Sequence, residues 1–162
     1  MGSEQDVGSC ATSVGDDVAS MKQPDTQSFF EQLGGERGVR RIIEAFIDHV
    51  FADRMIGFFF RNASRARIKE MEYQLIAKFL GAGIEYQGKP LDQVHAKHPI
   101  MGGHFARRRQ ILKETLETYR VPESIKEAWL EHTDSLRPLI TPQEGSDCDP
   151  IAARQELGTN QR

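Results

Sequence analysis

The sequence predicts an all-α fold, and three observations carry that prediction. Apolar residues recur at three-and-four spacing over Val39, Ile42, Ile43, Phe46, Ile47, Val50 and Phe51, the stripe of a helix near 36–52. Glycine and proline punctuate the chain at 34–35, 81–83, 90, 99 and 122, spacings that suit helices of unequal length. No run alternates apolar and polar residues as a half-buried strand would, and no internal repeat is visible.

Taken in order, residues 1–25 are rich in Gly, Ser and Asp without helical period and are expected to form a disordered leader. A short helix follows around Ser28 to Leu33, with Asp25 or Thr26 as its expected N-cap. Gly34 and Gly35 separate it from the helix at 36–52. The stretch MIGFFFRNAS makes an apolar turn before a helix from about Ser64 to Ala82, which Gly81 and Gly83 end. Pro90 suits the first turn of a short helix over 90–98, and Pro99 stops it. A long helix from about Gly103 to Tyr119 carries Phe105, Ile111, Leu112 and Leu116 as its apolar positions. Pro122 opens the last helix, whose Ile125, Ala128, Trp129, Leu136 and Leu139 are expected to face the core. Residues 142–162 again lack periodicity and form a mostly disordered tail, so the folded unit spans 26–141.

Composition narrows the function classes. With 162 residues the chain is large enough for one domain with its own core. A net charge of −3 and a pI near 6.0 give no basic footprint for a phosphate backbone, so nucleic acid is not an expected partner. The run Arg107, Arg108, Arg109 reads as a solvated helix face. No apolar run reaches the roughly 20 residues of a membrane span. Cys10 and Cys148 sit in the polar ends, a pattern of free thiols that suits a reducing, cytoplasmic setting.

Two polar residues stand on apolar stripes. On the helix at 64–82, Ile68, Met71, Leu75, Ile76 and Phe79 share a face, and Glu72 falls inside it. A carboxylate there must be paired, protonated or aimed into a polar cavity, because an uncompensated buried charge costs several kcal/mol or more. Tyr73, about 100° round the same helix, should point away from that face. His95 shares a face of the short helix with Leu91, Val94 and His98. By itself this fits a hydrogen-bonded core histidine as well as a ligand. A zinc site is a poor fit, since four N or S ligands are wanted and the cysteines lie in the tails.

The segment FFEQLGGERGVRRIIEAFIDHVFADRMIGFFF, followed by FLGAGIEYQG, VHAKHPI and GGHF, resembles the truncated hemoglobins, the 2/2 globin family, and their group 1 above all. The likeness spans about residues 29–140. It implies a 2-over-2 helical sandwich around heme b, with His95 as the proximal iron ligand. One imidazole suffices, because the porphyrin supplies four further nitrogens. In the same register Phe60, with Phe59 beside it, corresponds to the ring-packing phenylalanine, and His104 to a packing position. The apolar stripes supply the rest of the expected heme slot: Phe46 and Ile47 from the first long helix, and Ile68, Glu72, Leu75 and Ile76 from the second. Leu91, Val94, Ile100 and Phe105 complete it around the proximal histidine.

The resemblance implies binding of oxygen, nitric oxide or CO, with oxygen binding and transport among the family's roles. On the distal side the chain departs from the pattern, in which a Tyr and a Gln stabilise bound dioxygen. Ile47 and Glu72 stand at those positions; Ile47 donates nothing, and a Glu72 carboxylate only accepts. Two alternatives follow: a peroxidase-like or nitrite- and NO-handling enzyme with Glu72 as its acid–base group, or a heme-based sensor whose tails meet a partner.

Overall fold

The structure, a computed structural model, describes residues 27–141 as seven α-helices and one 3₁₀ turn, with no strand among these residues. The sequence-expected leader, tail and N-caps Asp25 and Thr26 lie outside the described residues. Ser28 instead caps α1 (Phe29–Gln32): its Oγ accepts from the Glu31 N–H while the Glu31 carboxylate accepts from the Ser28 N–H, both at 3.2 Å. Gly34 and Gly35 then turn the chain with φ of +86° and +63°, a region that side-chain-bearing residues avoid.

Helix α2 (Gly35–Ala52) is the centre of the fold. Its stripe from Val39 to Val50 is buried, whereas Phe51 is half-exposed and packs at a tilt against Phe60 of the 3₁₀ turn Gly57–Phe60. Each fully buried apolar side chain of this kind contributes about 1.5–3 kcal/mol through removal from water. Helix α3 (Arg65–Phe79), capped by the Ser64 hydroxyl, packs along α2 through Tyr73, Ile76, Ala77 and, just past its end, Leu80. Helix α5 (Gly102–Thr118) packs on the other flank of α2 and pairs with α6 (Glu123–Ser135). Two helix pairs, α2 with α3 and α5 with α6, thus enclose a core centred on Phe46, Ile43, Leu112, Leu116 and Trp129.

The short helices complete the frame. Helix α4 is shorter than the sequence suggests, Leu91–His95 with Pro90 as its N-cap. Pro99 explains the early stop: its ring would meet the His95 carbonyl one turn back, and it bars His98 from helical geometry. A second break separates α6 from α7 (Arg137–Ile140), which carries Pro138 in its first turn and packs on α4. That break corrects one expectation. Leu139, expected in the core, is 44 % exposed, because Pro138 cannot continue the α6 hydrogen-bond ladder and the restarted turn swings Leu139 outward. Among the described residues no helix is long and apolar enough to cross a membrane.

Candidate functional site

A cavity of about 540 Å³ opens between α3, α4, α5 and the α6–α7 break, within the range of small-molecule and cofactor sites. It exists because α4 packs on α7 and is held off α3 by the segment Gly81–Pro90. The wall is apolar where the α3 face expected from the sequence lines it: Ile68, Met71, Leu75 and Ile76. Phe59 and Phe60, Leu91 and Val94, and Ile100 and Phe105 contribute from the other sides. Val94 is 42 % exposed and marks the mouth.

Phe46 and Ile47 are not among the lining residues, contrary to the sequence expectation; both are sealed in the core behind the wall. The Arg108 guanidinium lies 4.8 Å above the Phe46 ring and separates it from the cavity. Tyr73 also points away, into the core, under the Arg40 guanidinium at 3.7 Å.

His95, His98 and His104 all line the cavity, and their hydrogen bonds distinguish them. His95 Nδ1 lies 2.7 Å from the Leu91 carbonyl oxygen, one turn back on α4. A carbonyl only accepts, so Nδ1 carries the proton and Nε2 keeps its lone pair, the arrangement a metal-binding imidazole needs. His104 has the opposite arrangement. Its Nδ1 accepts from the Met101 N–H at 3.1 Å, which leaves the hydrogen of the neutral ring on Nε2. His98 is exposed and meets the Phe59 ring edge-on. Burial pushes the His95 imidazolium below the usual histidine range and outweighs the Leu91 hydrogen bond, which favours the proton; the ring is therefore held neutral.

Glu72 reaches the cavity from α3 and is paired there. Its Oε2 accepts from Arg108 Nη2 at 2.8 Å, and the two side chains are only 14 % and 24 % exposed. Of the run expected to be a solvated face, Arg107 and Arg109 stay at the surface and pair with Asp53 and Asp134, whereas Arg108 turns inward to Glu72. The signal for Arg108 was present in the sequence, since Phe105, Arg108 and Leu112 follow one another at three-and-four spacing on one stripe of α5. Tyr86 and Lys89, from the segment between α3 and α4, also line the cavity; the sequence marked Tyr86 only within the FLGAGIEYQG stretch of the resemblance and neither as a site residue.

The residues fit a heme. The slot is largely apolar, one neutral imidazole offers a free nitrogen to it, and Arg67 and Lys89 add positive charge to its lining, suited to a carboxylate-bearing ring. A bare metal ion has no comparable site: among the described residues no three His, Cys, Asp or Glu side chains converge.

Comparison with known proteins agrees with this fold. The model of the bacterial-like globin family matches residues 28–141. The group 1 truncated hemoglobin GlbN of Mycolicibacterium paratuberculosis is 28 % identical over 111 residues, 68 % of this chain and 82 % of that protein. A group 1 truncated hemoglobin of Tetrahymena pyriformis is 28 % identical over 110 residues, 66 % of this chain and 91 % of its own. Among solved structures, the 2/2 hemoglobin of a Synechococcus species, in the cyanomet state and with covalently attached heme, superposes with a TM-score of 0.68 at 21 % identity. That match covers 72 % of this chain and all of the other.

Proposed function

Because the chain belongs to the bacterial-like globin family, we propose that it binds heme b in the cavity beside α4, where His95 would hold the iron and oxygen, nitric oxide or CO would be taken up. The observation that carries this reading is the Nδ1–H of His95 donated to the Leu91 carbonyl, which leaves Nε2 bare toward a largely apolar slot. The heme would supply four porphyrin nitrogens and an iron able to bind small ligands.

The chain's own residues account for the rest. Phe59, Phe60, Ile68, Leu75, Ile76 and Phe105 exclude water from the ring faces, and Leu91 orients the imidazole. Glu72 is engaged by Arg108, which favours ligand binding over a role for Glu72 as a freely exchanging proton carrier. Titration of the heme-free chain with hemin tests the reading. The expected result is a stoichiometric Soret band and, after reduction, a five-coordinate ferrous spectrum that shifts with CO. A chain that takes up no hemin would overturn it.

A further inference from the structure

We propose that Arg108 is the ligand-selecting residue of the cavity and tunes it toward small anions such as azide, cyanide, fluoride or nitrite. The proposal rests on the heme reading above. Guanidinium carries five N–H donors in a fixed fork, and here one of them, on Nη2, is donated to Glu72. Among the described residues no other Arg108 hydrogen bond accompanies it, while the flat face of the group rests on Phe46. Donors therefore remain on a side chain that lines the cavity and is only 24 % exposed. In such a setting a hydrogen bond to a charged group is strong, because little water competes.

The other cavity-lining groups sharpen the assignment. Arg67 and Lys89, the other cations of the lining, are exposed to water, and His104 offers only the Nε2–H of a neutral ring, so Arg108 is the lining cation that is mostly shielded. Glu72 can only accept, Ile68 and Leu75 are aliphatic, Tyr86 spends its hydroxyl hydrogen on the Lys89 carbonyl, and Tyr73 lies in the core. Glu72 has a defined part in this arrangement. It fixes the guanidinium by one hydrogen bond and offsets its charge, which lets a cation stand in an apolar wall. An entering anion competes with that carboxylate for the same fork. The two partners should consequently act on anion affinity with opposite signs.

The test uses the hemin-loaded full chain. Azide affinity of the ferric form is measured by optical titration, together with the azide stretching frequency, and CO affinity of the ferrous form serves as the neutral control. Arg108→Leu should weaken azide by roughly tenfold to hundredfold, the scale of one lost charge-assisted hydrogen bond, with CO changed by less than about threefold. Glu72→Gln, which still accepts from Arg108 but lacks the charge, should bind azide more tightly than wild type. Should Arg108→Leu leave Glu72 unpaired and fail to fold, the double variant Glu72→Leu/Arg108→Leu decides, and it too should bind azide more weakly than wild type. Azide affinity within twofold of wild type in these variants, or a parallel fall in CO affinity, overturns the proposal while leaving heme binding intact. Absence of a Soret band in the wild-type chain overturns the heme reading itself, and is distinguished by that.

Discussion

The imidazole of His132 lies flat on the ring of Phe79, centroids 4.1 Å apart and planes 5° from parallel, joining α6 to the end of α3. His132 Nε2 is buried without a hydrogen-bond partner among the described residues, and burial lowers the basicity of the ring, with the Glu72 charge opposing. The folded state therefore holds His132 neutral where an unfolded chain, with a histidine value near 6.5, takes up a proton. Stability from this group is complete above about pH 6.5 and is lost as pH falls through the depressed folded value. Urea midpoints of the heme-free chain should decline from pH 7.5 to pH 5, with His95 adding to the decline, and His132→Phe, which keeps the stack without the titration, should make it shallower. An identical decline in the variant would contradict the assignment.

Gly38 sits where no side chain fits. A Cβ there would stand 1.7 Å from the Leu33 carbonyl oxygen, so the backbone joining α1 to α2 would have to move. Gly38→Ala should cost about 2–3 kcal/mol by denaturant unfolding, although alanine is the better helix former. A stabilised or unchanged variant would mean that the α1–α2 junction yields freely.

Much of the fold was legible because its signals are local. The α2 stripe, the glycine pair at 34–35 and the prolines at 90, 99 and 122 each fix a helix or its end through short-range sterics, and the structure keeps all of them. Leu139 was not legible as exposed, since its apolarity fits the α6 period and only the break at Pro138 turns it outward. At the site, periodicity identified apolar faces without saying what each one meets. Ile68 and Leu75 border the cavity, whereas Phe46 and Ile47 are sealed by helices on both flanks of α2. Arg108 was masked by its two arginine neighbours, although its place between Phe105 and Leu112 marks it as inward-facing in the same way as Glu72.

The two histidine tautomers lead to a sharp contrast between variants. His95→Ala removes the free Nε2 and should lower hemin affinity on the order of hundredfold, with a ferrous spectrum that added imidazole restores. His104→Ala loses the Met101 contact and the edge-on packing against Phe59 and Phe58, centroids 5.0 and 6.1 Å apart, and should retain the wild-type ferrous spectrum. Ferrous and CO-bound spectra of the two variants provide the measurement; a normal five-coordinate spectrum in His95→Ala would reassign the ligand.

Gly88 holds a side of the cavity open to one particular ring. A Cβ on Gly88 would lie 2.1 Å from the Tyr86 phenol, so Gly88→Ala must expel Tyr86 from its position against the wall and break the bond from its hydroxyl to the Lys89 carbonyl. The segment between α3 and α4 then loses one of its contacts at the slot and is left with the Gln87 N–H to Gln74 bond and the Lys78–Glu85 pair. Hemin should consequently leave Gly88→Ala several-fold faster than the wild-type chain, as read by transfer to an excess of a heme scavenger, while Tyr86→Phe, which keeps the ring and loses only one exposed hydrogen bond, should change the rate little. Equal rates in Gly88→Ala and wild type would show that the Tyr86 ring does not retain the cofactor.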